Sequence, residues 1–156
     1  MADWNTVWSA VQAIGTVGAV GVAAYQIAKL RADQRGWETL KACERYDTDP
    51  VIEAALVRLK VGRDGVDLLI DTKKYSLDAT TVLNYLEGIA TGICQGFYDE
   101  RVVRDHLERI MRDHIGEFLS EDIAKGMELS KDDYCRLEDL LSNWGADKPY
   151  YKRGRL

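Results

Sequence analysis

Hydrophobic and polar positions divide the chain into three stretches. From Trp4 to Ala28 the sequence WNTVWSAVQAIGTVGAVGVAAYQIA runs 25 residues without a charge, rich in valine, alanine and glycine. From Lys29 onward apolar residues return at spacings of three and four among many charges, the period of helices with one buried face. The first helix continues through KLRADQRGWETLKACERY to Tyr46, because no proline interrupts it before Pro50. Asp49 then reads as an N-cap with Pro50 at the first helical position. A second helix covers about 50–61 and ends at Gly62. The segment after it, GRDGVDLLIDTKKYS, reads as a loop with a short helix or strand at Val66–Ile70. A third helix starts with Asp78 as its cap, turns Val82, Leu86, Ile89 and Ile93 to one side, and closes at a left-handed Gly96. A fourth spans about 100–119, with Val103, Leu107, Ile110, His114 and Phe118 on its apolar stripe. Ser120 caps a short fifth element. Ser130–Asp133 resembles a capping box for a last helix that turns Tyr134, Leu137, Leu140, Leu141 and Trp144 inward and ends at Gly145. Alternating strand-like runs are lacking, so the fold class is all-α.

The uncharged opening is long enough to cross a bilayer, for which about 20 apolar residues suffice. Asn5, Thr6, Ser9, Gln12, Thr16 and Gln26 dilute it, and a buried helix is the competing reading. A cleaved signal peptide fits poorly, since no basic residue precedes the run and the run is too long. Trp4, Trp8 and Tyr25 are placed as interfacial aromatics, and Lys29, Arg31 and Arg35 follow directly. That flank puts the N-terminus outside and the rest of the chain in the cytoplasm. The expected layout is a transmembrane helix at 1–28, a cytoplasmic helical domain at 29–147 and a basic tail at 148–156. Gly15, Ala19 and Ala23 recur every four residues, with Gln12 one turn earlier. Such a stripe lets helix backbones approach, with the Gln amide bonding across the contact. A single span has no other membrane helix of its own chain to meet, so self-association is expected.

Charge changes the picture of partners. The net charge is −5, but 29–46 carry +2 and the tail 148–156 carries +4, so with Asp3 the middle, 47–147, sums to −10. An acidic body repels phosphate, which argues against DNA and RNA as general partners. The basic ends suit anionic lipid instead. Cys43, Cys94 and Cys135 lack metal-like spacing and are odd in number, reading as reduced, buried thiols in a cytosolic setting. No glycine-rich phosphate loop, metal cluster or Ser-His-Asp arrangement is present, so no cofactor is expected.

One stretch carries candidate chemistry. RVVRDHLERIMRDHIG, residues 101–116, holds Arg-x-x-Arg-Asp-His twice, and its two histidines are the only ones in the chain. Arg101 with His106, and Arg109 with His114, share the Arg-x4-His spacing of RNA-cutting helical domains of the HEPN type. On one helix the members of each pair lie about 140° apart, so they meet only if two protomers pool them. Histidine would then act as general acid or base at a ribose 2′-OH and arginine would steady the phosphate. The alternative is an amphipathic helix with Glu108 pairing Arg104 or Arg112 and His114 as a hydrogen-bonded core residue.

The layout as a whole, with VLNYLEGIATGICQGFYDE in the helical core, resembles a family of short bacterial and phage proteins defined by a domain of unknown function. Leu83-Asn84-Tyr85-Leu86-Glu87, followed by Gly92, Gly96 and Asp99, carries that likeness. With its Arg-x4-His the chain is also similar to the membrane accessory proteins of type VI-B CRISPR systems. The resemblance implies a HEPN-like bundle at the inner membrane of a bacterium, assembled into a pore-forming ring in antiviral defence. It leaves the motif either as the site of a membrane-tethered ribonuclease dimer or as a subunit contact.

Overall fold

The computed structural model describes residues 4–64 and 71–145, with side chains described over 20–62 and 71–145. The helices are α1 (Trp4–Thr48), α2 (Pro50–Asp64), α3 (Thr72–Cys94), α4 (Glu100–Phe118), α5 (Glu121–Met127) and α6 (Cys135–Gly145), with a 3-10 turn at Lys131–Tyr134 before α6. Among the described residues there is no strand, and the fold is all-α. The chain divides into two compact units, Met1–Arg35 and Gly36–Leu156. Among the described residues no helix is long and apolar enough to cross a membrane. The side chains of Trp4 to Ala19, most of the uncharged segment, lie outside the described residues.

In the second unit α3 is the centre. Val82, Leu83, Leu86 and Ala90 are fully buried at the spacing of one helical face, and Ala79, Ile89 and Ile93 widen it. Helices α2, α4, α5 and α6 all pack on α3. They bring Ile52, Ala55 and Leu59 from α2, Val103, Leu107, Met111 and Phe118 from α4, and Leu137, Leu140, Leu141 and Trp144 from α6. Each large aliphatic or aromatic side chain so covered stabilises the bundle by about 1.5–3 kcal/mol. The end of α1 adds Thr39, Ala42, Cys43 and Tyr46 to this core.

Several local expectations hold. Asp49 Oδ1 accepts the backbone N–H groups of Val51 and Ile52 at 2.9 and 3.4 Å, so the break before Pro50 is a capped helix start. Gly96 is left-handed at φ 76°. Ser130 Oγ accepts the Asp132 N–H, although what it opens is the 3-10 turn rather than α6 itself.

Three expectations fail for tertiary reasons. Gly62 does not end α2, which runs to Asp64; a Cβ at Gly62 would sit 2.5 Å from the Tyr75 ring, so the glycine is there for close packing. Asp78 is not a cap. Helix α3 begins at Thr72, and Asp78 lies inside it, buried and held by Arg58 with contacts of 2.6 to 3.1 Å. The extra turns are fixed by Tyr75 packing and by Ser76 Oγ, which donates to the Met127 carbonyl at 2.7 Å. The cysteines also differ among themselves, with Cys43 buried, Cys94 half-buried and Cys135 exposed. The segment at Val66–Ile70 lies outside the described residues.

Candidate functional site

The repeated motif is split by its helix. Asp99 caps α4 by accepting the Arg101 and Val102 N–H groups, and its own N–H donates to Thr39 Oγ1 of α1. This sets the rotation of α4. Val103, Leu107, Met111 and Phe118 then face the core, with Ile110 half-buried beside them. Arg101 and His106 are exposed, and His106 Nδ1 donates to the Val102 carbonyl one turn back at 2.9 Å. Arg109 is also exposed and lies 3.8 Å from the Asp113 carboxylate. Glu108 takes both neighbouring arginines, Arg104 at 2.9 Å and Arg112 at 2.7 Å. Both of those arginines also reach carbonyls at the end of α6, those of Trp144 and Leu141. The charged repeat therefore ties α4 to α6.

His114, half-buried, is the one of the four candidates that lines a cleft. Its Nε2 is 2.5 Å from the Tyr46 hydroxyl across 68 residues of sequence, and its ring stacks on Phe118 at 5.3 Å between centroids, 12° from parallel. Burial, with Asp47 nearby, raises the Tyr46 phenol well above the usual tyrosine range, so it keeps its proton. The hydroxyl and Nε2 share one hydrogen bond, whose direction follows the imidazole tautomer. Tyr85 tilts against Tyr46 at 6.4 Å and donates its own hydroxyl proton to the Ala42 carbonyl. Its phenol is pushed up to about 12, chiefly by burial. A cleft of about 270 Å³ opens beside this pair between α2 and α4, with Leu56, Leu59, Ile110 and Phe118 as apolar wall and Lys60, Asp113 and Glu117 as polar lining.

The structure thus brings none of the four candidates together as an Arg–His pair within the described residues. His114 is occupied by Tyr46, and acid–base work at Nε2 would require that phenol to leave. Tyr46, Lys60, Leu56 and Leu59 were not candidates from the sequence, since their meeting with His114 depends on how α1 and α2 fold back. Only the apolar count that placed His114 on the inner stripe pointed to the site. No group of three or more His, Cys, Asp or Glu is placed to hold a metal ion among the described residues.

The other candidates lie on α1. Ala23, Tyr25, Lys29, Arg31 and Arg35 are all exposed, as is every described side chain from Val20 to Arg35. Gln12, Gly15, Ala19, Trp4 and Trp8 fall outside the described side chains. Residues 13–144 match the domain of unknown function DUF4760. The chain belongs to the DUF4760 family. The DUF4760 match takes in α1 from Ala13 as well as the bundle through Trp144. No curated protein and no solved structure matches the chain.

Proposed function

We propose that this DUF4760 protein is a helical bundle anchored by the uncharged half of α1 in the cytoplasmic membrane of a bacterium, N-terminus outside. In this reading copies associate through the stripe Gln12, Gly15, Ala19 and Ala23. The observation that carries the anchor is the exposure of Val20, Val22, Tyr25, Ile27 and Leu30 on a helix that is uncharged up to Ala28. Apolar side chains left open together on a helix mark a surface that lipid or another chain covers. Lys29, Arg31 and Arg35 then lie at the cytoplasmic headgroups, each contributing about 1 kcal/mol against anionic lipid. The polar residues within the segment suit a helix that packs against copies of itself better than one surrounded by lipid. A ring-shaped pore acting in antiviral defence is the assembly and setting that the layout suggests, with lipid and further copies of the chain as partners.

The Arg-Asp-His repeat is read as structural, not catalytic. The Tyr46–His114 bond and the arginine bridges from α4 to α6 support that reading. Native mass in mild detergent, measured by light scattering with detergent subtracted, tests the main proposal. A discrete assembly of several copies supports it, and protein that stays monomeric and soluble without detergent sinks it. For the ribonuclease alternative, loss of activity on changing His106 and His114 together to alanine would be needed.

A further inference from the structure

Beyond the small-residue stripe, α1 carries a second pattern with a different period and chemistry. Val20, Ala23, Ile27, Leu30 and Gln34 are spaced three, four, three and four residues apart, and the count runs on in sequence to Trp37. This is the 3.5-residue repeat of a coiled-coil seam, with Val20, Ile27 and Gln34 at one core position and Ala23, Leu30 and Trp37 at the other. The pattern does not end with the uncharged segment. Between Lys29 and Glu38 the only large apolar side chains are Leu30 and Trp37, seven residues apart and both in this line. Each of the large members is open: Val20 64%, Ile27 51%, Leu30 61% and Trp37 64% exposed.

We propose that this seam is where α1 of one copy pairs, in parallel, with α1 of a second copy, from Val20 within the membrane out to Trp37 in the water beyond it. The inference rests on the anchored reading above. A seam of this period is met by a helix of the same period running alongside it. A second copy held in the same bilayer presents one at the same height and in the same direction. Covering the four large side chains removes on the order of 500 Å² per copy, about 1,000 Å² for the pair, which is the floor for a specific interface. Alone such a contact is weak. Tethering by the membrane raises the effective concentration of the partner to about the millimolar range, which makes it sufficient. Gln34, a polar residue at a core position, fixes the register by pairing with its own counterpart at some loss of stability.

Cross-linking of the full chain in isolated membranes tests the seam. In a background with the exposed Cys135 changed to serine, Gln34→Cys places a thiol in the seam and Ala32→Cys places one about 200° away around the helix. Under mild oxidation Gln34→Cys should form disulfide dimers about tenfold faster than Ala32→Cys, because only the seam position faces its own copy. Adding Leu30→Glu and Trp37→Glu to Gln34→Cys should abolish the dimers while the thermal unfolding of the bundle stays unchanged. Equal rates at the two positions, or no dimers at Gln34→Cys, would overturn the proposal, and the second result is the one expected if lipid or a different protein covers the seam. Flotation of the same samples with liposomes reports separately on the anchor. Flotation without seam cross-links leaves the anchor standing and the seam refuted; seam-specific cross-links without flotation leave the seam standing and refute the anchor.

Discussion

The two units of the chain use apolar residues in opposite ways. In the bundle from Gly36 onward, Leu83, Leu86, Met111, Leu137 and Leu140 are fully covered by their own chain. On α1 from Val20 to Arg35, valine, isoleucine and leucine are as frequent but none is covered. Hydrophobic content is therefore a poor guide to what a segment does; where the covering surface comes from is the useful question. A bundle that covers itself gains stability from each buried side chain, while an uncovered helix offers the same free energy to something outside the chain.

The largest effect that would break the contrast is on membrane association. Val20→Asp, Val22→Asp and Ile27→Asp together should abolish flotation with liposomes and leave the thermal midpoint of the bundle unchanged, because these side chains are exposed and belong to the other unit. A drop in that midpoint would show the helix to be part of the bundle instead. Next comes the core. Leu83→Ala should lower bundle stability by about 2–5 kcal/mol in chemical unfolding, the cost of lost transfer energy and the cavity together. Smaller still, Tyr46→Phe should cost about 1 kcal/mol, since it removes the hydroxyl bonded to His114 while keeping the ring; Tyr85→Phe, which frees the Ala42 carbonyl, should cost about the same.

Opposite pH responses sharpen the picture of how the bundle uses charge. Burial raises the carboxyl of Glu87, though the N–H groups of Leu137 and Arg136 partly offset it. Its folded value lies above the ordinary 4.5, so its contribution is complete below 4.5 and declines as pH rises through the raised value. Burial pushes Glu108 up too, but bonds to Arg112 and Arg104 outweigh it and hold the group below 4.5. Its contribution is present above 4.5 and declines as pH falls through the lowered value. Unfolding by denaturant across the acid range should therefore respond differently to Glu87→Gln and Glu108→Gln. The first should flatten the change above 4.5 and the second the change below it.

Much of the fold was legible because it rests on local chemistry. The break at Asp49-Pro50 is a side-chain cap, the turn at Gly96 is a left-handed residue, and the inner faces of α3, α4 and α6 follow the 3.6-residue period. Failures came where a residue's partner is distant. Asp78 looks like a cap by type and position, yet Arg58, twenty residues back, takes its carboxylate into the bundle. Gly62 looks like a stop, yet the Tyr75 ring needs its missing side chain. Glu87 accepts the Arg136 and Leu137 N–H groups and so caps the first turn of α6 from another helix, across about fifty residues of sequence. The candidate site followed the same rule. The inner placement of His114 was readable from spacing, but Tyr46 as its partner was not.

The sequence by itself determined the helical class, the uncharged opening segment, the charge pattern that splits an acidic body from basic ends, and the heptad line on α1, all of which depend on order and period along one chain. Tertiary structure decided which histidine of the repeat meets Tyr46, which acid caps a helix and which pairs with an arginine, and that α2 and α4 leave a cleft beside His114. Those outcomes depend on how helices rotate and approach one another. That is settled by the simultaneous packing of several faces, and no single stretch of sequence contains it.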